Sequence, residues 1–191
     1  MELLFKKDNE NHNKYNIEKN GEIIYYTIYN HNNETKELYD TTGKNKGKGY
    51  YDPSKTHRFL KVLIPYIVEI PISHRSGVGI EQIVIHYKFM PCIYYFNYNN
   101  STYKAVIHIG FKVSIFQDDI QIAYYIKEGV FDDYKWDMKL VLNHNAPVEL
   151  LCLFAIYLHS NFKNEDSSEG GNPSFTLAFQ ESRFNSKWKP D

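Results

Sequence analysis

The sequence predicts a mainly β protein, a barrel of about ten to twelve short antiparallel strands around one central buried hydrophobic helix. Three observations carry that expectation. Along most of the chain, apolar and polar residues alternate in short runs separated by turn-forming residues. The chain holds 17 Tyr and 12 Phe among 191 residues, and such aromatics, with Ile and Val, fit a pleated, half-buried surface. One run, Leu150 to Leu158, is apolar at every position.

The strands follow in order. Tyr15-Asn16-Ile17-Glu18 is a short strand, and Asn20-Gly21 supplies the positive φ a tight hairpin turn needs before a second strand over 23–29. His31-Asn32-Asn33-Glu34 turns the chain into Lys36-Glu37-Leu38-Tyr39, and Asp40-Thr41-Thr42-Gly43 turns it again. Residues 44–58 are rich in glycine and lysine and are expected as an exposed loop around a short Tyr50-Tyr51 piece. Further strands are expected over 59–70, interrupted by Pro65, and over 79–89, 92–98, 103–109, 111–116, 120–127 and 134–142. Asn99-Asn100-Ser101, Gln117-Asp118-Asp119 and Phe131-Asp132-Asp133 turn between them, and Ser73-His74-Arg75-Ser76-Gly77 is a polar loop.

The helix is expected over 146–160. Asn145 can cap it, Pro147 is tolerated in its first turn, and Glu149 suits its positive end. A helix that is apolar on every face must be buried on every face, which places it inside the sheet. The barrel domain is then 1–162. Residues 163–191 form a polar linker, Asn164 to Pro173, and a tail carrying Phe175, Leu177, Phe179, Phe184 and Trp188.

From Tyr103 to His159 the run is strand, turn, strand, an Asp-Asp turn, a strand with Ala and Tyr, a charged turn, then Tyr134-Lys135-Trp136-Asp137-Met138-Lys139-Leu140-Val141-Leu142 leading straight into the apolar helix. This order resembles the Tubby C-terminal-like superfamily, which includes the plant LURP-one-related proteins and the phospholipid scramblases and has small bacterial members. The hairpin from Tyr15 to Gly21, followed by Leu38-Tyr39-Asp40-Thr41-Thr42-Gly43-Lys44, is similar to that superfamily's opening repeat. The resemblance implies a closed barrel of about a dozen strands threaded by a hydrophobic helix. Many relatives carry an acidic residue just before the helix, where this chain has Asn143-His144-Asn145. For function, it implies recognition of phosphoinositides or action at membranes.

Composition narrows the chemistry. A net charge of −1 gives no whole-molecule attraction to nucleic acid or acidic membranes. Cys92 and Cys152 lie far apart in apolar runs and are expected as buried thiols in a reducing compartment. No apolar run approaches the roughly 20 residues of a membrane-spanning helix, and the first residues lack the apolar core of a signal peptide. Cytoplasmic localisation, with peripheral membrane association, is the expectation.

Gly43, Gly47 and Gly49 lack the Gly-Lys-[Ser/Thr] ending of a nucleotide-binding loop. The eight histidines show no metal-ligand spacing, so neither metal nor cofactor is expected. His86 and His108 would need a carboxylate such as Asp118 or Asp137 to form an acid-base pair, and structural barrel histidines are the expected reading.

What remains is a cationic cluster, Lys44, Lys46, Lys48, Lys55 and Arg58, interleaved with glycines and tyrosines. Cations beside backbone NH groups left open by glycine suit phosphate. The sequence therefore predicts a non-enzymatic binding module for an anionic ligand such as a phospholipid or phosphoinositide headgroup. The alternative is a protein-interaction component of a bacterial defence, immunity or regulatory system, contacting its partner through Phe175, Phe179, Phe184 and Trp188 or an exposed sheet face. An uncharacterised enzyme is the third reading.

Overall fold

The computed structural model describes residues 1–30, 35–52, 66–74, 77–88, 93–108, 112–128, 137–166, 184, 185 and 187–191. Twelve strands form one closed antiparallel barrel in which every strand pairs with its sequence neighbours. They are β1 (Glu2–Lys7), β2 (Lys14–Lys19), β3 (Glu22–Asn30), β4 (Thr35–Asp40), β5 (Asn45–Tyr51), β6 (Tyr66–His74), β7 (Gly77–Lys88), β8 (Ile93–Tyr98), β9 (Ser101–His108), β10 (Lys112–Gln117), β11 (Ile120–Glu128) and β12 (Asp137–Leu142). One helix, α1 (Val148–Asp166), follows.

The turns form where the sequence supplies residues that accept positive φ. Asn20 and Gly21 sit at φ 53° and 84°, Asn99 and Asn100 at 50° and 62°, and Asp118 and Asp119 at 47° and 67°. These are the left-handed pairs whose twist suits two-residue hairpins. β1 was not legible as a strand, having only Leu3 and Phe5 to face inward, yet it closes the barrel by pairing Glu2 to Phe5 with Val141 to Met138 of β12. The Met1 ammonium adds a 2.7 Å hydrogen bond to the Leu142 carbonyl.

The helix occupies the interior, as its all-round apolar sequence demands. Every residue from Leu150 to Leu158 is buried, and the helix lies nearest β4, β5, β6 and β12. Two boundaries differ from expectation. The Leu151 NH donates to the Pro147 carbonyl at 3.0 Å, so helical bonding starts at Pro147 and not under an Asn145 cap. At the other end α1 runs on to Asp166, through Lys163, Glu165 and neighbours that have no difficulty continuing a helix already begun.

Around α1 the aromatic side chains interlock. Tyr66 stacks on Tyr157 with ring centroids 4.1 Å apart, Tyr51 meets both rings edge-on or tilted, Tyr94 meets Tyr157 edge-on, and Phe96 stacks on Tyr103 at 5.0 Å. No helix among the described residues is long and apolar enough to cross a membrane.

Candidate ligand surface

The cationic cluster begins at a turn built by Asp40. One of its carboxylate oxygens accepts the NH groups of Thr42 and Lys44, each at 3.0 Å, and the Thr42 hydroxyl at 2.6 Å. The Thr42 hydroxyl, above all, outweighs burial and with the backbone NH groups and Lys46 holds Asp40 down at about 2. Gly43, at φ 83°, completes the reversal.

Residues 45–51 then form β5, and not the exposed loop expected of them. Lys46 and Lys48 share one side of this strand and Gly47 and Gly49 the other. The glycines face inward and are there for clearance. A Cβ on Gly47 would lie 2.8 Å from Leu153 Cδ1 and 2.7 Å from the Glu69 carbonyl oxygen, and one on Gly49 would lie 2.0 Å from the Tyr66 hydroxyl. The composition that resembles a phosphate cradle is thus the point where the wall lets the helix and Tyr66 come close.

The lysines face outward and meet carboxylates. Lys46 Nζ lies 3.4 Å from Asp40, and Lys48 Nζ lies 3.0 Å from Glu69 and 5.5 Å from the Tyr50 ring centroid. Tyr50 donates its hydroxyl to Glu69 at 2.8 Å and accepts Gln82 Nε2 at 3.1 Å. Burial alone would raise the Glu69 pKa, but the bonds from Lys48 and Tyr50 outweigh it and the group is held low. Lys44 stands at the exposed turn. Of the predicted cluster, Lys44, Lys46 and Lys48 therefore share one hairpin, while Lys55 and Arg58 lie outside the described residues.

Of the tail residues, Phe175 and Phe179 lie outside the described residues. Phe184 and Trp188 pack on the outer wall across β9 to β11: Phe184 meets His108 and Tyr124 edge-on, each at 5.5 Å, and Trp188 meets Tyr124 at 5.7 Å. Lys112 Nζ lies 5.2 Å from the Phe184 ring centroid. Asp191 holds the tail's end through a 3.1 Å bond from its NH to Asn143 Oδ1.

Neither His86 nor His108 pairs with Asp118. His108 is buried with Nε2 at 2.9 Å from the Ser114 hydroxyl, and His86 stacks on Tyr95. Asp118 accepts the Thr102 NH in its turn. The described residues contain no group of three or more potential metal ligands. Cys152 is a buried thiol, its pKa raised by burial, and Cys92 lies outside the described residues.

One titratable group was missed. Lys36, on the same side of β4 as fully buried Leu38, is only 7 % exposed, and its Nζ lies 5.9 Å from the Tyr66 ring centroid. Loss of hydration lowers its pKa from the ordinary 10.5 to about 8. The signal was available, since Lys36 and Leu38 are two residues apart on one strand and must share a face.

Comparison with known proteins returns no matching family, no matching curated protein and no matching solved structure.

Proposed function

We propose that this chain is a non-enzymatic binding module of the Tubby C-terminal-like superfamily, recognising an anionic ligand, a phospholipid or phosphoinositide headgroup, on its outer wall. The superfamily reading is supported by the closed barrel of twelve strands and by the late apolar helix inside it. That helix also directs function outward, because Leu150 to Leu158 take up the interior that many barrels leave to a ligand.

The observation that carries the ligand class is the placement of Lys44, Lys46 and Lys48 along one hairpin, with Lys48 over Tyr50. The carboxylates beside Lys46 and Lys48 do not remove those charges from use. Surface ion pairs of this kind contribute about 0 to 1 kcal/mol, so a phosphate with several acceptor oxygens can compete for the same ammonium groups.

The test is sedimentation with vesicles of phosphatidylcholine alone or with added phosphatidylinositol phosphate. The wild type is expected to bind only the latter, less as salt rises, and Lys44→Glu, Lys46→Glu and Lys48→Glu together are expected to abolish binding. No binding by the wild type, or unchanged binding by the triple variant, refutes the proposal.

A further inference from the structure

The eleven hairpins of the wall are not matched in length, and the mismatch leaves one strand edge open. β7 pairs with β6 along its whole length, from Tyr66 and Ile85 to His74 and Gly77. On its other side, among the described residues, it pairs with β8 only at His86, Tyr87 and Lys88, opposite Tyr95, Tyr94 and Ile93. β8 ends at Tyr98 and turns at Asn99 and Asn100. In that register β8 ends opposite Ile83, so from Gly79 to Gln82 β7 runs past it among the described residues, and Val84, opposite Asn97, forms no ladder pair with it.

Which groups these are follows from Pro71. It stands opposite Ile80 and has no NH, so that pair cannot be one that exchanges ladder hydrogen bonds. The NH and carbonyl of Ile80 therefore point to the open side, and by the two-residue period so do those of Gln82 and Val84. The same proline blunts the matching free edge of β6, which pairs with β5 only as far as Glu69. Over Gly79 to Val84, β7 carries no proline, no lysine and no bulge, and Ile80 there is 66 % exposed. Proteins that avoid strand addition protect such edges. Here proline removes a donor from one edge of the arm, while the other keeps all its donors and carries a single charge, Glu81.

The surroundings select the occupant. Glu81 is on the opposite side of β7 from Ile80, half-exposed and close enough to Tyr98 to oppose its ionisation, as is Glu149 at the start of α1, both after the larger effect of burial. Glu149 accepts the Tyr25 hydroxyl at 3.1 Å. Among the described residues neither Glu81 nor Glu149 has an ion-pair partner. We propose that the open edge of β7 at Ile80, Gln82 and Val84 receives an extended strand of a partner protein in which Lys or Arg alternates with apolar residues. Main-chain bonds to the edge supply affinity, the apolar residues lie beside Ile80, and the basic ones face Glu81. This site adjoins the hairpin of Lys44, Lys46 and Lys48 through the Gln82 side chain, which donates to Tyr50 and Glu69, but its main-chain groups on the open edge are not part of that hairpin.

The probe is a synthetic peptide of alternating valine and lysine, with alternating valine and glutamate as control. Titration by fluorescence anisotropy is paired with amide hydrogen exchange. The valine-lysine peptide is expected to bind and to slow exchange at Ile80, Gln82 and Val84 but not at Gly79 or Glu81. Glu81→Lys, which leaves the backbone untouched, is expected to weaken binding about tenfold or more. Ile80→Pro, which removes one edge donor where Pro71 already occupies the paired position, is expected to abolish it. Absence of binding, equal binding of the glutamate peptide, or protection spread evenly along β7 overturns the proposal. So does a concentration-dependent dimer that already protects these amides, since the occupant is then a second copy of the chain.

Discussion

Lys36→Met is expected to stabilise the protein at neutral pH and to flatten its stability profile between pH 7 and 9.5. The working starts from a shift of 10.5 to about 8. Between those values the unfolded chain holds the proton and the folded chain has released it, so stability rises with pH in that window and the cost is fully present below pH 8. At about 1.36 kcal/mol per pKa unit, 2.5 units correspond to about 3 kcal/mol, an upper bound on what Met recovers at pH 7. Integrated from pH 7 to 9.5, the lysine contributes a rise of about 2 kcal/mol in the wild type that the variant lacks.

Cys152 and the buried tyrosines Tyr66 and Tyr125 act in the opposite sense, because burial holds their protons in the folded state while the unfolded chain ionises near 9.0 and 10.0. They are common to both proteins, so their effect cancels in the difference. Urea unfolding of wild type and variant at matched pH values measures that difference. Parallel profiles, or a Met variant less stable than wild type at pH 7, would refute the assignment of Lys36 as a charge buried at a cost.

Two further outcomes follow from packing. Gly49→Ala is expected to destabilise the barrel by several kcal/mol, of the order of a severe overpacking or strain defect, because its Cβ would meet the Tyr66 hydroxyl. Among the described residues that hydroxyl is buried without a hydrogen-bond partner, so Tyr66→Phe alone should be neutral or stabilising by about 1 kcal/mol, and the double variant should recover part of the loss; strictly additive thermal-melting data would place the clash elsewhere. Phe184→Ala with Trp188→Ala is expected to cost about 1 to 3 kcal/mol, from three edge-to-face contacts of about 0.5 to 1.5 kcal/mol each. Unchanged urea unfolding of that pair would show the tail to be held by nothing it touches on β9 and β11.

The parts of the fold that were legible are those in which a residue's own chemistry decides. Asn20-Gly21 and Asn99-Asn100 turn the chain because they tolerate positive φ, and Leu150 to Leu158 enter the core because no face of that helix suits water. What escaped depends on neighbours far away in sequence. Gly47 and Gly49 have the same local composition whether they cradle a phosphate or make room for Leu153 and Tyr66, and only the register of β5 against β6 separates the two. The open edge of β7 arises from unequal lengths of hairpins on either side of it. The lysines of the candidate surface were found by type and spacing, but their carboxylate neighbours Asp40 and Glu69 were placed beside them by pairing. Lys36 was readable from its parity with Leu38, and its lysine character concealed it.

The wall precedes its filling in the chain. All twelve strands, with inner faces of Leu, Ile, Val and Tyr, come before α1, and closure waits on β1 meeting β12 across almost the whole barrel sequence. A ribosome therefore delivers a long apolar sheet well before the segment that covers its inner face, and the final step is a non-local one of the slow kind. Nascent chains stopped anywhere before Leu150 expose that inner face to one another. The interval before Leu150 to Leu158 emerge is therefore the one in which the growing wall is most open to aggregation.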